Sequence, residues 1–200
     1  MAYEPIKTIT SPVIPIPVDN IDTDQIIPAR FLKATSREAE FGKKLFSDWR
    51  YTPSGVPNPE FALNQYAADS RILLAGGNFG CGSSREHAAW ALYDYGFRVV
   101  LARSFADIFK TNALNNGILV ITLPEDIHQD LLNEILQKPE SLVEVDLPGE
   151  YLSFRNGQAR YGFHINPFRS QCLQNGLDLL DFLVARKEQI TKFEQKTFSN

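Results

Sequence analysis

The chain has 200 residues, of which 44% are hydrophobic, and this is enough to bury the core of one compact domain. Its formal net charge is −4 and its basic residues are dispersed, which argues against a nucleic-acid-binding surface. No apolar run approaches the length of a membrane span, and the first residues lack the apolar core of a signal peptide, so a cytoplasmic protein is expected. Without an internal repeat or a marked linker, we predict a single domain over residues 1–200.

The amino-terminal third is punctuated by proline and glycine. Prolines in the run 12–17 place residues 22–24 in a loop or at a strand edge rather than in a helix. Residues 41–61 are aromatic but interrupted by prolines and a glycine. This composition predicts a long ordered loop that covers a sheet edge or meets a partner.

Strands and helices then alternate. A buried strand over 71–75 breaks into a glycine-rich loop, a helix follows over 86–95, and Gly96 is its predicted C-cap. The same reasoning gives a strand over 98–102, a helix opened by Ser104 and Asp107 that ends at 115–117, a strand over 118–123 and an amphipathic helix over 124–137. This alternation predicts a parallel sheet with helices packed on it.

The last part of the chain changes character. Residues 142–147 and 151–165 are predicted strands, and Asn156-Gly157 is a type I′ hairpin signal. From Pro167 the pattern is mostly helical, with fraying expected after Lys192. The residues expected to be buried in this segment are Leu177, Leu180, Leu183 and Val184.

The junction at residues 76–87 is the best candidate for a functional site. Its glycines allow positive φ and a close approach to a ligand, and the helix that follows directs N–H groups and a partial positive charge at the loop. An anion is therefore expected there. Ser83, Ser84 and Arg85 provide two hydroxyls and a guanidinium that suit a carboxylate or phosphate.

A structural interpretation of the same residues stays open. Ser83 and Glu86 have the spacing of a capping box, His87 fits a hydrogen-bonded residue of the first turn, and Trp90 fits the core. Asp22 and Asp24 fit a turn or a cap made by short carboxylates. Cys81 paired with His87 as a nucleophile matches no recognised arrangement.

Cysteine and histidine spacing limits the cofactors of the chain. Cys81 and Cys172 are too few for a disulfide framework and too few for a [4Fe–4S] cluster, which needs three or four thiolates. His87, His128 and His164 show no zinc-binding spacing. If the reaction uses such a cluster, another polypeptide must supply it.

Three segments carry a resemblance to a known family. They are GCGSSREH over residues 80–87, NIDTDQIIPARFLK over 20–33 and SFADIFKTNALNNG over 104–117. In this order they resemble motifs of the isopropylmalate dehydratase small subunits, which are relatives of the aconitase swivel domain, and the resemblance runs from Ile14 to Phe182. It implies an α/β fold of the swivelling β/β/α type, with a mixed, largely parallel sheet core.

The resemblance also implies a function. The chain would join a cluster-bearing large subunit, whose iron acts as Lewis acid, and interconvert 2-isopropylmalate and 3-isopropylmalate by loss and re-addition of water in leucine biosynthesis. Ser83 would be the catalytic base, and Asp24 would orient the reacting groups. Ser84 and Arg85 would bind a substrate carboxylate, and Thr23 would join them; the chain itself would hold no metal.

Three alternatives remain. The chain could serve a sister hydratase acting on homoaconitate or methylmalate, and Arg30 and Arg37 are the guanidiniums near the loop that would decide specificity. It could be a substrate-recognition subunit without catalytic groups. A phosphate- or nucleotide-binding module is disfavoured, because the chain lacks G-K-[ST] and a full G-x-G-x-x-G.

Overall fold

The computed structural model describes residues 3–32 and 40–198, and in these ranges the strands form two four-stranded sheets. One sheet is parallel, in the order β2-β3-β4-β5, and the other is antiparallel, in the order β1-β6-β7-β8. The strands are β1 (Thr8–Ser11), β2 (Val13–Ile16), β3 (Ile72–Ala75), β4 (Val99–Ala102), β5 (Leu119–Thr122), β6 (Val143–Asp146), β7 (Tyr151–Phe154) and β8 (Ala159–Gly162).

Helices connect the parallel strands, as the alternating pattern predicts. The helix between β3 and β4 begins at Glu86 and ends at Tyr95, and Gly96 follows as its C-cap with a φ of 124°. The helices are α1 (Thr23–Ile26), α2 (Ser47–Arg50), α3 (Ala62–Gln65), α4 (Glu86–Tyr95), α5 (Asp107–Asn115), α6 (Glu125–Gln137), α7 (Pro167–Asn175), α8 (Leu179–Val184) and α9 (Lys187–Phe198).

The parallel sheet is the middle layer of the molecule. Alternate residues of a strand point to opposite faces. Ile14, Leu73 and Val100 therefore pack on the side of α4 and α5, whereas Ile72 and Leu74 belong to the core shared with the antiparallel sheet. This β/β/α layering confirms the predicted fold class, and the antiparallel strands form a second sheet beside the parallel one.

The hairpin between β7 and β8 follows the predicted turn. Asn156 and Gly157 both have positive φ, 54° and 83°, as a type I′ turn requires, and Gln158 N donates to Arg155 O at 3.1 Å. Arg155 also has positive φ, and the strand pairing resumes at Phe154 and Ala159.

The aromatic segment 41–61 is irregular, with short helical turns, but it contributes to the core. Phe41, Leu45 and Phe46 are fully buried against the helical side of the parallel sheet. The buried side chains therefore anchor this segment to the core, whereas the sequence predicts only a loop that covers a sheet edge or meets a partner.

The carboxyl-terminal helices differ from the expectation. Leu180, Leu183 and Val184 are 68%, 46% and 63% exposed, and Leu177 is only partly buried, so the predicted burial of this group is wrong. Helical spacing shows which residues share a face, but it cannot show whether another layer covers that face. Helix α9 also continues past Lys192, where fraying is predicted, to Phe198. None of the helices in the described ranges has the length and apolar character to span a membrane.

Candidate active site at the carboxyl edge of the parallel sheet

Three chain segments meet where strands β2, β3 and β4 end. Parallel strands end at the same edge of a sheet, and ligands of α/β proteins commonly bind there. The segments are residues 18–24, 76–85 and 103–106. Isolated parallel bridges join Asp22 to Cys81 and Phe79 to Phe105, so the pairing of the strands continues into the loops.

Backbone hydrogen bonds hold the glycine loop from both sides. Gly80 N donates to Ile21 O at 2.7 Å, and Thr23 N donates to Cys81 O at 2.9 Å. On the other side, Phe79 N donates to Ser104 O, and Ala106 N returns a bond to Phe79 O, both at 3.0 Å. The loop is therefore a defined structure before any ligand binds.

Within the glycine loop, Gly80 combines a positive φ with the absence of room for a side chain. Its φ is +76°, and a Cβ atom there would lie 2.2 Å from Cγ of Phe109. Phe109 lies in α5 and is itself buried. The loop backbone at Gly80 thus packs directly on the Phe109 ring of α5, and this contact fixes the position of the loop.

Helix α4 begins with Arg85 as the N-cap residue. An arginine side chain has only donors and cannot accept a bond from the N–H groups of the first turn, so these groups and the helix dipole favour an external anion. The alternative in which Ser83 and Glu86 form a capping box is excluded. Ser83 lies two residues before the N-cap, and Glu86 Oε1 instead accepts a bond from Asn116 Nδ2 at 2.9 Å.

Asp22 caps helix α1, as the open interpretation of a cap by short carboxylates allows, and forms with Gln25 a capping box that was not predicted. Asp22 accepts bonds from Asp24 N and Gln25 N, and the Gln25 side chain accepts from Asp22 N. Helix α1 therefore starts at Thr23, so the predicted loop or strand edge is wrong for Thr23 and Asp24, whereas Asp22 lies at a strand end, bridged to Cys81. The signal was present, since Asp-x-x-Gln is a capping-box spacing.

Arg85 and Asp24 form an ion pair across the two loops. Arg85 Nη1 lies 2.5 Å from Asp24 Oδ1, and the Arg85 side chain is only 18% exposed. The same carboxylate oxygen accepts a bond from Ala29 N at 2.7 Å. The Arg85 guanidinium, together with the Ala29 N–H, holds the pKa of Asp24 below its ordinary value, so this carboxylate is charged at neutral pH.

Thr23 lies beneath the loop, whereas the sequence interpretation counts it among the substrate-binding residues. Its side chain is buried, and Oγ1 donates to the Ser83 carbonyl at 2.9 Å. Ser83 and Ser84 are exposed. The structure thus brings Thr23, Asp24, Ser83, Ser84 and Arg85 to one place, with the threonine supporting the loop from below.

Other residues named from the sequence have packing or surface contacts. The ring centroid of His87 lies 5.5 Å from that of Phe41 and 4.6 Å from that of Trp90, which is an aromatic environment. Arg30 pairs with Asp48. Arg37 lies outside the described residues.

Asp19 and Arg103 belong to the same edge but were not predicted. Asp19 follows β2, accepts a bond from Gly77 N at 2.6 Å and pairs with Arg103, which follows β4. The available signal was their position, since polar residues directly after buried parallel strands tend to meet.

A [4Fe–4S] cluster does not fit the residues of this chain. Cys81 lies in the glycine loop with Sγ 3.4 Å from Asn20 O, whereas Cys172 is buried in α7. Across residues 3–32 and 40–198, no group of three His, Cys, Asp or Glu side chains is arranged to hold a metal.

The layered fold and the glycine loop at its sheet edge define a domain of the aconitase swivel type. In agreement, the family model of the aconitase C-terminal domain matches residues 5–126, which include all three loops. The chain is 48% identical over 197 residues to the 3-isopropylmalate dehydratase small subunit of Karelsulcia muelleri, covering 98% of this chain and 100% of that one. It is 46% identical over 192 residues to the protein of the same name from Cytophaga hutchinsonii, covering 96% and 95% of the two chains.

A solved structure agrees with these relatives. The crystal structure of a 3-isopropylmalate dehydratase from Methanocaldococcus jannaschii superposes with a TM-score of 0.68 at 29% identity, covering 92% of this chain and 98% of that one. The chain belongs to the family of 3-isopropylmalate dehydratase small subunits, which confirms the resemblance found in its sequence.

Proposed function

We propose that this chain, in complex with a large subunit, interconverts 2-isopropylmalate and 3-isopropylmalate in leucine biosynthesis. Family membership supports the hydro-lyase reaction. One observation supports a role for this chain in that reaction: the segment Ser83-Ser84-Arg85 at the start of α4 meets Asp24 of α1, which pairs with Arg85. The whole of residues 1–200 would act as one domain.

The positions of the site residues support the roles that we propose for them. Ser84 and Arg85 bind a substrate carboxylate, aided by the N–H groups of the first turn of α4. Asp24 keeps the guanidinium oriented before substrate arrives, and Thr23 holds the Ser83 carbonyl from below. The substrate carboxylate then binds the Arg85 guanidinium, which Asp24 already holds in place.

Ser83 acts on the proton. Dehydration removes a proton from one carbon and hydroxide from its neighbour, which gives an alkene diacid, and rehydration returns the two in exchanged positions. Ser83, as the alkoxide that the loop amides and the start of α4 stabilise, accepts the carbon-bound proton in the first half and becomes the hydroxyl, which returns a proton in the second. A serine is a weak base in water, so the step needs the dry interface of an assembled complex.

The large subunit would carry the [4Fe–4S] cluster, because the two cysteines of this chain lie in separate places. The cluster would supply Lewis-acid chemistry for the departing hydroxyl group. In this division, the present chain contributes the base and a carboxylate-binding site.

The first test is the Ser83→Ala variant, studied in the assembled enzyme. We expect kcat to fall by at least about 10²-fold with little change in KM, because a proton-transfer group is lost while the loop keeps its shape. Ser84→Ala is the matched control and should mainly raise KM. A Ser83→Ala enzyme with normal kcat would show that Ser83 is not the base and would favour the alternative of a substrate-recognition subunit.

The division between subunits is tested on the purified chain alone. It should contain no iron and should not turn over either isomer, and activity should appear on addition of a cluster-loaded large subunit. Turnover by the isolated chain would contradict the split site.

A further inference from the structure

A second arginine lies at the same sheet edge, in a different electrostatic setting from Arg85. Arg103 directly follows β4 and contacts two carboxylates. Its Nη2 pairs with Asp19 Oδ1, and its Nη1 lies 2.7 Å from Glu125 Oε2 in the first turn of α6. With two anionic partners its charge is already compensated, so it is a poor candidate for holding a substrate carboxylate.

Asp19 connects this arginine to the glycine loop. The oxygen that pairs with Arg103 also accepts a bond from Gly77 N at 2.6 Å. Asn20 N donates to Gly77 O at 2.9 Å, so both polar groups of the Gly77 backbone are held by consecutive residues of the neighbouring loop. A Cβ atom on Gly76 would lie 2.4 Å from both Asp19 Oδ1 and Val18 O, which shows how closely the carboxylate fits against the loop.

Further hydrogen bonds hold the loop residues that follow Gly77. After Gly77, Asn78 N donates to Ser104 Oγ at 2.7 Å, and the bonds already described fix Phe79, Gly80 and Cys81 in turn. Ser104 is the residue next to Arg103 in sequence. The ion pair therefore joins the two segments between which the loop is hydrogen-bonded.

We infer that Asp19 and Arg103 are positioning residues for the reaction, which set the start of the glycine loop and thereby the place of Ser83 and Arg85. This inference rests on the proposed function. We call the Asp19–Arg103 ion pair, with the bond from Gly77 N to Asp19, the clamp. The Arg103 guanidinium, aided by the Gly77 N–H, lowers the pKa of Asp19, so the clamp is intact at neutral pH.

The energetics predict a particular pattern of effects. The Asp19 side chain is 50% exposed, and a half-exposed ion pair contributes little to stability. A small misplacement of catalytic groups, by contrast, costs far more in rate, up to about 10²-fold for 1 Å. Loss of the clamp should therefore reduce kcat much more than it reduces stability.

The test uses the assembled enzyme with Asp19→Ala and Arg103→Ala, singly and combined. We expect each single variant to lower kcat by about tenfold with KM within about twofold, and the double variant to be no worse than either, because both remove one shared contact. Amide hydrogen exchange in the peptide spanning residues 76–85 should increase in all three, while exchange in the antiparallel sheet stays unchanged.

Glu125→Gln is the matched control. It weakens the other ion pair of Arg103 but touches no residue of the loop, so kcat and loop exchange should stay at wild-type values. Asp19→Asn keeps an acceptor for Gly77 N, so its kcat and loop exchange should lie between those of wild type and Asp19→Ala. This variant replaces Asp19→Ala in the test if Asp19→Ala folds poorly.

Two outcomes would overturn the inference: unchanged kcat and loop exchange in the Asp19 variants, or additive losses in the double variant. Failure of the proposed function looks different, because Ser83→Ala would then retain activity as well. A normal Asp19→Ala enzyme beside an impaired Ser83→Ala enzyme would reject only the positioning role.

Discussion

The strands of the two sheets are connected in different ways, and this decides where loops can meet. In the parallel sheet, each connection crosses over through a helix, so the segments after β2, β3 and β4 all emerge at one edge and meet there. In the antiparallel sheet, β6, β7 and β8 follow one another through the short turns 147–150 and 155–158, which lie at opposite ends of the strands, while β1 joins from the start of the chain. Convergence of several connecting loops at one edge is thus a property of the parallel layer, and the candidate site lies on it.

Two glycines with similar backbones test this difference, and here we expect the largest effect. Gly80 in the site and Gly157 in the hairpin have φ values of +76° and +83°, but a Cβ on Gly80 would overlap Phe109, whereas a Cβ on Gly157 would meet nothing within 4 Å. Gly157→Ala should cost only the backbone strain of about 1–2 kcal/mol and leave kcat unchanged. Gly80→Ala adds a steric overlap with the buried ring and should cost more, with a large loss of kcat.

Denaturant unfolding of the isolated chain and kinetics of the assembled enzyme give both quantities. Equal losses of stability in the two variants would show that the loop can move away from α5. The site would then be less rigid than the contacts indicate.

Much of the fold could be predicted because its signals are local. The strand before the loop, helix α4 with its Gly96 cap, and the hairpin at Asn156-Gly157 each follow from a few adjacent residues. The division of the strands into two sheets depends on which strands pair over more than a hundred residues, as β1 does with β6. Periodicity carries no information about that choice.

The same distinction applies to the site. Ser83, Ser84 and Arg85 could be found because glycines and a helix start adjoin them in sequence. The Arg103–Asp19 pair and the bond from Thr23 to Ser83 are long-range contacts. The position of Asp19 and Arg103 after parallel strands indicates that they share an edge, but no local pattern reports which side chains pair. The exposed leucines of α8 make the opposite point, since local periodicity suggested a burial that the tertiary structure does not provide.

A second comparison uses two arginines, one in each region. Arg85 pairs with Asp24 at the site, and Arg155 in the hairpin pairs with Asp130 and Glu134 of α6. Arg85→Lys keeps the charge but loses the planar fork that matches a carboxylate, so KM should rise by about tenfold with little loss of stability. Arg155→Lys should leave KM unchanged. An unchanged KM in Arg85→Lys would mean that another group binds the substrate carboxylate.

The smallest expected effect concerns the charge of Asp24. Its pKa is lowered in the folded protein, chiefly by Arg85, so the folded state favours the ionised form. The resulting stabilisation is fully present above the ordinary aspartate pKa of about 3.9, and it is lost as the pH falls through the lower pKa of the folded state. Asp24 is 53% exposed, so the contribution should be about 1 kcal/mol or less, equivalent to roughly 2–4 °C in Tm.

Asp24→Asn isolates this charge, because the amide oxygen can still accept the bond from Ala29 N. The variant should melt slightly below wild type at pH 6, and the difference should vanish in strongly acidic solution. Asp130→Asn is the counterpart in the other region and should have a smaller effect at pH 6, since Arg155 keeps Glu134 at 3.4 Å. If the Asp24→Asn difference persists undiminished at acid pH, the charge of Asp24 does not stabilise the fold, and its value to the protein lies in orienting Arg85 alone.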